Sequence, residues 1–364
     1  MAKILILTAG FGEGHNSAAR GLRDGLLHVA PDTQVQIIDI FADTFGPLNG
    51  IARRLYLKVI SDAPKRWAAF YARLDRQTEF RSGLRWLFLA RQRLARIIRR
   101  EQPDALVSVY PAYAHFLDEM YGETNGARPQ RIVCVTDSIT VNAIWYRCSA
   151  DYFLVPNEQT ATVLVRAGVR RETVRVLGFP VNPRFADSRL QAARSAARPW
   201  RILYMINSGK DSAPQLAREL ARLPNTALTV TVGRDKRLRA EIEKARVASA
   251  QKFEIIGWTT ELPRLLSTHH VLVSKAGGAT VQETIAARCP MIINQVVPGQ
   301  EEGNAQLIAE NNAGAVAHSN DEVISLMKNA LADDGKVLRE WTENIGKISR
   351  PNAAREIAKF LLAL

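Results

Sequence analysis

Short apolar runs alternate with amphipathic stretches along most of the chain. The first half contains KILILTA, QVQIIDI, ALVSVY, RIVCVTD, DYFLVP and TVRVLGFPV, whose length and β-branched content are typical of buried strands. Between them, stretches such as HNSAARGLRDGLLHVA and EQTATVLVRAG carry apolar positions at helical spacing. Strands that alternate with helices predict a parallel sheet covered on both faces.

The second half repeats this alternation and predicts a second α/β domain. Its predicted strands are RILYMINSG, ALTVTVG, FEIIGW, HHVLVSKAGG, PMIINQ and AGAVAH. The polar, proline-punctuated stretch NPRFADSRLQAARSAARPW separates the two series, and we interpret it as a linker. The 364 residues suffice for two domains of ordinary size, which we place at 1–185 and 199–345.

Cysteine usage and hydropathy indicate the compartment. Cys134, Cys148 and Cys289 are odd in number and lack the close spacing of metal ligands, which favours a reducing cytoplasm over a disulfide framework. No apolar stretch approaches the ~18 residues that span a bilayer, and the first apolar run leads into a glycine-rich turn, not a cleavage site. We therefore expect a cytoplasmic protein that is neither secreted nor integral to the membrane.

Positive charge is concentrated in residues 53–100, the basic aromatic segment. The whole chain has a formal net charge of +13, and this segment, with fourteen Lys or Arg and three acidic residues, carries +11 of it. Seven aromatic residues are interleaved with these charges, and Leu84, Leu87, Leu94 and Ile98 recur at helical spacing. The pattern is typical of contact with an anionic membrane surface, but equally of a solvated helix packed by its apolar stripe. Nucleic-acid binding is disfavoured because no recognised nucleic-acid module is present.

The stretch GFGEGHNSAA follows the first predicted strand and is the first candidate site. Gly10, Gly12 and Gly14 allow a tight turn and a close approach of a ligand to the backbone. A dinucleotide fingerprint requires a third glycine where this chain has His15, although Asp39 ends the second strand where a ribose-binding acid could lie. His15 could instead cap or pack the helix, or act as a general base, since its ordinary pKa lies near neutrality.

Residues 273–304 form the second candidate site. Gly277 and Gly278 lie between a predicted strand and a helix, where their N–H groups can approach a diphosphate. Thr280 can cap the helix or contact phosphate, and Glu283 lies one turn further on, where its carboxylate can accept hydrogen bonds from ribose hydroxyls. The turn PGQEEGN then offers side chains suited to sugar hydroxyls, from Gln300, Glu301 and Asn304.

The same block carries a family resemblance. SKAGGATVQETIAARCPMIINQVVPGQEEGNAQLIAENNAG resembles the donor-site signature of the glycosyltransferases that include monogalactosyldiacylglycerol synthase and processive diacylglycerol glucosyltransferase. It is more distantly similar to the N-acetylglucosaminyltransferase of peptidoglycan synthesis. ILILTAGFGEGHNSAARGL resembles the family's first strand, glycine loop and acceptor-side His, and TVGRDKRL and IIGWTTELPRLLS resemble its carboxyl-terminal elements.

This resemblance implies a GT-B architecture, with two Rossmann-like domains, a cleft between them and a carboxyl-terminal helix at about 349–364 that returns to the first domain. It also implies an inverting transfer of a hexose from a UDP-sugar to a lipid acceptor, with diacylglycerol as the first choice. Helix dipoles and cations can stabilise a departing diphosphate, so we expect no metal and no cofactor. The implied location is the inner face of the membrane, held peripherally by the basic aromatic segment.

The resemblance also implies roles for individual residues. His15 would deprotonate the acceptor, Asp137 would support it or compete as base, and the Trp258 backbone would face uracil. The implied donor-binding residues are Ser208, Gly209, Lys210, Arg234, Trp258, Lys275, Gly277, Gly278, Thr280, Glu283, Gln300, Glu301 and Asn304. The implied acceptor and loop residues are Gly12, Gly14, Tyr110 and Asn142.

Three departures from the family pattern concern the acceptor side and the phosphate loop. Tyr110 and Asn142 stand where we expect histidines in the lipid galactosyltransferases, and the loop MINSGKD has one glycine, Gly209, with Lys210 as a substitute cation. The acceptor therefore stays open to a different hydrophobic molecule. A non-catalytic protein that binds UDP-sugar or membrane, and a nicotinamide-dependent oxidoreductase, are the hypotheses from other classes.

Overall fold

The computed structural model describes residues 2–10, 12–51, 55, 69, 87–122, 128–192, 194, 198–207 and 209–364. Within them the chain divides into two compact units. Unit 1 comprises Met1–Pro183, Val297–Gly303 and Asn352–Leu364, and unit 2 comprises Arg184–Val296 and Asn304–Pro351. The predicted donor residue Ser208 and most of the basic aromatic segment before residue 87 lie outside the described residues.

Unit 1 is built on a six-stranded parallel sheet of order β2-β1-β3-β4-β5-β6. Its strands are β1 Lys3–Leu7, β2 Gln34–Ile38, β3 Ala105–Ser108, β4 Gln130–Cys134, β5 Tyr152–Val155 and β6 Val174–Val176. Its helices up to residue 183 are α1 Glu13–Val29, α2 Ile40–Phe45, α3 Phe88–Glu101, α4 Pro111–Tyr121 and α5 Glu158–Arg166, with 3₁₀ turns at Ala143–Trp145 and Arg171–Thr173. The central strands are mostly apolar and buried because helices cover both faces of the sheet.

Unit 2 has a second six-stranded parallel sheet, of order β12-β11-β10-β7-β8-β9. Its strands are β7 Trp200–Met205, β8 Thr226–Thr231, β9 Glu254–Ile256, β10 Val271–Lys275, β11 Met291–Gln295 and β12 Gly314–Val316. The helices are α6 Ser188–Gln191, α7 Ala213–Ala221, α8 Lys236–Val247, α9 Leu262–Thr268, α10 Gly278–Ala286, α11 Glu302–Glu310 and α12 Asn320–Lys347, which non-helical residues interrupt at Ala332–Gly335. The twelve predicted strands are all present, and the predicted fold of two Rossmann-like domains is confirmed.

The last helix, α13 Ala353–Leu362, belongs to unit 1 and packs on α1. Two glycines of α1 permit close packing, since a Cβ at Gly25 would lie 2.4 Å from the Ala354 carbonyl oxygen and one at Gly21 would lie 1.7 Å from that of Pro180. Ile357 and Leu361 of α13 are buried. A side chain at either glycine would force backbone apart, so α1 needs glycine for packing rather than for a turn.

The unit boundaries differ from the predicted ranges in two segments. Residues 297–303, which we expected in the donor domain, group with unit 1 because the Gly303 N–H donates to Thr140 Oγ1 at 2.8 Å. The predicted linker from Arg184 onward groups with unit 2. There the Arg194 guanidinium donates to carbonyls that end α9 and follow α10, among them those of Leu266, His269 and Ala287.

Helix α3 is the regular part of the basic aromatic segment that the structure describes. Ala90, Leu94 and Ile98 are buried in the core of unit 1, and Leu87 packs against it. The apolar stripe of this helix is therefore explained by packing, as in the solvated-helix interpretation. Phe88 and Leu89 at its start remain 45% and 48% exposed. In the part of the chain that the structure describes, no helix has the length and apolar character needed to cross a membrane.

Candidate functional site

Each sheet reverses its strand order at one point, and the candidate residues lie at the carboxyl ends of the strands there. In unit 1 the reversal lies between β1 and β3. His15 follows β1, Tyr110 follows β3, and Thr136 and Asp137 follow β4. Ligands of open α/β sheets bind in the crevice outside such a switch point. This edge of unit 1 is its candidate site.

His15 lies partly buried among aromatic rings at this edge. Its Nδ1 lies 3.2 Å from the Thr136 hydroxyl oxygen, and its ring meets that of Tyr110 edge-on at 5.1 Å between centroids. The ring of Trp145 lies 6.0 Å away. Burial lowers the pKa of His15 to about 4, although a hydrogen bond with the Val109 backbone opposes this shift. At neutral pH the imidazole is therefore uncharged and can accept a proton.

Asp137, the predicted supporting acid, is joined to the same aromatic group. Its Oδ2 accepts a hydrogen bond from the Trp145 indole N–H at 2.8 Å. Trp145 is buried, so the carboxylate orients a ring that lies beside His15. This arrangement gives Asp137 a route to affect His15 through Trp145. Its role in catalysis stays a prediction.

The glycine loop offers little support for a nicotinamide site. Asp39, the candidate ribose acid, accepts the Gly10 N–H with Oδ2 at 2.8 Å and caps α2 by accepting the Ala42 N–H with Oδ1 at 2.9 Å. Both carboxylate oxygens therefore have backbone partners within the protein. Gly12 is the N-cap residue of α1, and Gly14 lies within its first turn.

The two departures on the acceptor side have different surroundings. Asn142 is buried and caps the 3₁₀ turn after it by accepting the Ile144 N–H at 3.1 Å. Tyr110 contacts His15 and also meets Phe41 at 5.8 Å between ring centroids. Asn142 therefore has a structural function, whereas Tyr110 belongs to the surroundings of the proposed base.

The turn at 297–303 is held by its own polar groups. Glu301 is buried, and its Oε2 accepts the Val297 N–H at 3.0 Å, while the side chain of Gln300 is partly exposed. A Cβ at Gly303 would lie 2.0 Å from the Ser138 carbonyl oxygen, so the turn lies against the loop that follows Asp137. One oxygen of Glu301 thus shapes the turn, and contact of either side chain with a sugar stays a prediction.

In unit 2 the strand order reverses between β7 and β10, and the glycine turn follows β10. Lys275 ends this strand, Gly277 is the N-cap residue of α10 and Gly278 is its first residue. The free N–H groups at the start of this helix favour an anion there. Thr280 and Glu283 lie in the first two turns of α10, and both are partly buried.

Asn304 joins α11 to this glycine turn. It is 2% exposed, and its Nδ2 donates to the Ala276 carbonyl oxygen at 3.1 Å. Its Oδ1 is buried and has no hydrogen-bond partner among the residues that the structure describes. The side chain therefore positions the glycine turn, and its place in the donor site stays a prediction.

The remaining predicted donor residues form two exposed contacts after β7, β8 and β9. Gly209 has φ +63°, in the left-handed region that favours glycine, and Lys210 Nζ lies 2.6 Å from Asp235 Oδ2. The Arg234 guanidinium carbon lies 4.3 Å from the ring centroid of Trp258, which is 56% exposed. This distance is that of a cation–π contact.

Sequence analysis did not select Thr136, Trp145 or Asp235. Thr136 precedes Asp137 at the end of a predicted strand, and Asp235 follows Arg234 in the same position of unit 2. Their place after a strand was the available signal. No local pattern marked Trp145, because it meets His15 only through the fold. Within the described ranges, no three His, Cys, Asp or Glu side chains are grouped to hold a metal ion, and a metal-independent reaction stays a prediction.

Comparison with protein families matches both parts of the chain. Residues 15–181 match the monogalactosyldiacylglycerol (MGDG) synthase family, and residues 209–351 match the glycosyltransferase family 28 C-terminal domain. Processive diacylglycerol beta-glucosyltransferase of Bacillus cytotoxicus is 24% identical over 367 residues, which cover 99% of this chain and 93% of the relative. The enzyme of the same name from Bacillus mycoides is 24% identical over 369 residues, with the same coverage of both chains.

Solved structures share the fold. MurG of Acinetobacter baumannii has a TM-score of 0.63 at 15% identity and is matched over 100% of both chains. UDP-GlcNAc 2-epimerase of Neisseria meningitidis, bound to UDP-GlcNAc, has a TM-score of 0.63 at 12% identity, also over 100% of both chains. Such distant similarity establishes the GT-B fold alone. The two family matches, which together span most of the chain, show that it belongs to the glycosyltransferases that join an MGDG synthase domain to a family 28 C-terminal domain.

Proposed function

We propose that this glycosyltransferase moves a hexose from a UDP-sugar to a lipid hydroxyl, that of diacylglycerol in the first instance, with inversion at the anomeric carbon. The names of the Bacillus relatives support the acceptor class, and neighbours solved with UDP or a UDP-sugar support the donor class. The observation that carries the catalytic part is the neutral, partly buried imidazole of His15 at the switch point of unit 1.

In this mechanism His15 accepts the proton of the acceptor hydroxyl. The acceptor oxygen forms a bond to the anomeric carbon as the bond from that carbon to the diphosphate oxygen breaks, and UDP leaves. The pKa of about 4 keeps His15 unprotonated, although it also makes the ring a weak base. The bond with the Val109 backbone stabilises the protonated ring and so assists the transfer.

Unit 2 supplies the groups that hold the donor. Helix α10 is nine residues long, and the backbone N–H groups at its N-terminus bind the diphosphate. Lys210 and Lys275 add positive charge. Glu283 binds the ribose, and Asn304 holds the glycine turn in place. These groups stabilise the charge that develops on departing UDP, which is the largest demand of a single displacement.

We infer that a lipid acceptor is reached by peripheral contact of unit 1 with the inner face of the membrane. The charge of +11 in residues 53–100 suits anionic lipid. Leu48, Ile51 and Leu55 recur at helical spacing and are 67%, 53% and 62% exposed, as is expected of residues that enter the lipid surface.

The test is release of UDP from UDP-galactose, UDP-glucose or UDP-N-acetylglucosamine, with anionic vesicles that do or do not contain diacylglycerol. We expect one donor to be consumed only when diacylglycerol is present. The variant Leu48→Gln, Ile51→Gln, Leu55→Gln should weaken sedimentation with these vesicles and reduce release, while its affinity for UDP stays unchanged.

Other outcomes separate the alternatives. Binding of UDP without release from any donor would remove diacylglycerol as acceptor. If other hydrophobic acceptors also gave no release, the protein would be a non-catalytic UDP-sugar-binding protein. If NAD stabilised the protein against unfolding and UDP did not, this result would contradict the donor assignment and support the oxidoreductase hypothesis.

A further inference from the structure

Two consecutive residues after β8, Arg234 and Asp235, hold the loops that follow both neighbouring strands. Asp235 contacts Lys210, which follows β7, and Arg234 stacks on Trp258, which follows β9. All of these residues lie in unit 2. The dipeptide thus connects three loops at the carboxyl edge of the sheet, where an α/β fold binds its ligand.

Asp235 has two separate functions, one on each carboxylate oxygen. Its Oδ1 accepts the Leu238 N–H at 3.0 Å and caps α8, while its Oδ2 accepts from Lys210 Nζ at 2.6 Å. The Leu238 N–H, followed by Lys210, lowers the pKa of Asp235 below its ordinary value. The carboxylate is therefore charged at neutral pH, and the cap holds it beside Lys210 whether or not a ligand is bound.

Lys210 lies in the loop after β7, where we expect it to serve as a cation for the diphosphate. Its side chain is 51% exposed and that of Asp235 is 32% exposed. Exposed ion pairs of this kind contribute up to roughly fivefold to an equilibrium constant, so the pair exchanges readily. A diphosphate oxygen is a stronger partner for an ammonium group and can take its place.

Resting on the donor site proposed above, we propose that Asp235 competes with the diphosphate of the donor for Lys210 and so weakens the binding of UDP. When the donor binds, Lys210 leaves Asp235 and pairs with the diphosphate. When UDP departs, the Lys210–Asp235 ion pair forms again, which favours release of the product. Asp235 is in this sense a positioning residue that acts on the ligand through Lys210.

The test measures the Kd of UDP and of uridine by calorimetry for the full chain and for Asp235→Asn. Asparagine also caps helices, so this variant removes the charge and keeps the cap. We expect UDP to bind roughly threefold to fivefold more tightly, the range of an exposed ion pair. The affinity for uridine should not change because it lacks phosphate. Asp235→Ser, also a capping residue, should reproduce the result if asparagine unfolds the loop.

Lys210→Gln distinguishes competition from repulsion through space. If Asp235 acts by holding Lys210, adding Asp235→Asn to Lys210→Gln should give little or no gain in UDP affinity. An equal gain with and without Lys210 would overturn the proposal, because the carboxylate would then act on the diphosphate directly. Unchanged or weaker UDP binding by Asp235→Asn and Asp235→Ser alone would also overturn it.

Glu243→Gln is the matched control. It removes the same charge from an exposed pair with Arg239, at 3.0 Å, two turns further along α8. We expect its Kd for UDP to equal that of the unmodified chain. If the unmodified protein transfers sugar and Asp235→Asn does not change the Kd of UDP, this inference alone is refuted. Failure of every form to bind UDP would refute the inference and the proposed donor site together.

Discussion

The two units share one sheet topology but place opposite kinds of residue at the same edge. In unit 1 the carboxyl ends of the strands carry His15 among aromatic rings, and its imidazole is neutral. In unit 2 they carry a glycine turn, two lysines and the Lys210–Asp235 ion pair. The first environment suits proton transfer and the second suits a bound anion. Topology therefore determines where each site lies, and the loop residues determine its chemistry.

A second comparison concerns two histidines whose pKa is lowered by burial, His15 and His269. Burial lowers the pKa of His15 in unit 1 and of His269 in unit 2 to about 4. His269 is enclosed, with Nδ1 at 2.7 Å from the Leu265 carbonyl oxygen and Nε2 at 3.0 Å from the Thr229 hydroxyl oxygen. His15 instead lies at the strand ends beside the switch point of unit 1. A lowered pKa alone therefore does not identify a base, and the prediction for His15 rests on its position in the fold.

The largest expected effect is in unit 1 and tests whether its strand ends serve proton transfer. His15→Ala should reduce kcat by roughly 100-fold to 10,000-fold, as is typical for loss of a general base. Because the residues proposed to bind the nucleotide lie in unit 2, the Kd of UDP should stay unchanged. Steady-state kinetics and calorimetry on the same preparation give both values, and turnover like that of the unmodified chain would reject His15 as the base.

The next effect concerns stability of unit 1. Gly25→Ala places a Cβ 2.4 Å from the Ala354 carbonyl oxygen and forces α1 away from α13. We expect a loss of about 2 to 4 kcal/mol in the free energy of unfolding, as for overpacking that moves backbone. Gly50→Ala is the control, since nothing lies within 4 Å of the added Cβ. Equal denaturant midpoints for the two variants would contradict this packing.

Acid should weaken the fold through both histidines. Because their pKa is about 4 when folded and near 6.5 when unfolded, the unfolded chain binds more protons between these values, and the free energy of unfolding decreases as pH falls through this window. Each ring contributes about 3 kcal/mol at most, and His15, which is partly exposed, contributes less. Urea titrations at pH 7 and pH 4.5 measure the loss. His269→Gln should reduce it, and the same loss in that variant would exclude His269 as a cause.

The smallest expected effect is in unit 2 and tests whether its strand ends bind the nucleotide. Glu283→Ala should weaken UDP by roughly tenfold, the size of one hydrogen bond to a charged group, and weaken uridine equally because both carry the ribose. Glu302→Ala, an exposed acid in the first turn of α11, is the control and should leave both affinities unchanged. Loss of UDP binding with uridine binding retained would assign Glu283 to the phosphates instead.

Most of the fold could be predicted from local pattern. The apolar runs identified all twelve strands, and the alternation with helices indicated parallel sheets, whose central strands are buried from both faces. The glycine turn at 277–278 was predicted for the same reason, because a turn between strand and helix is a local feature. The grouping of 297–303 with unit 1 was not predicted, because it depends on the contact of Gly303 with Thr140, residues 163 positions apart.

The sequence by itself therefore determined the order of the elements, the two sheets and the strand ends at which chemistry is possible. Periodicity, glycine placement and strand length act over a few residues, and a sequence displays them directly. Only the tertiary structure decided which side chains meet at those ends. His15 meets Thr136 from 121 residues away, and Lys210 meets Asp235 from 25 residues away. Such contacts depend on how parallel strands are ordered in a sheet, and strand order is not written in any single stretch of the chain.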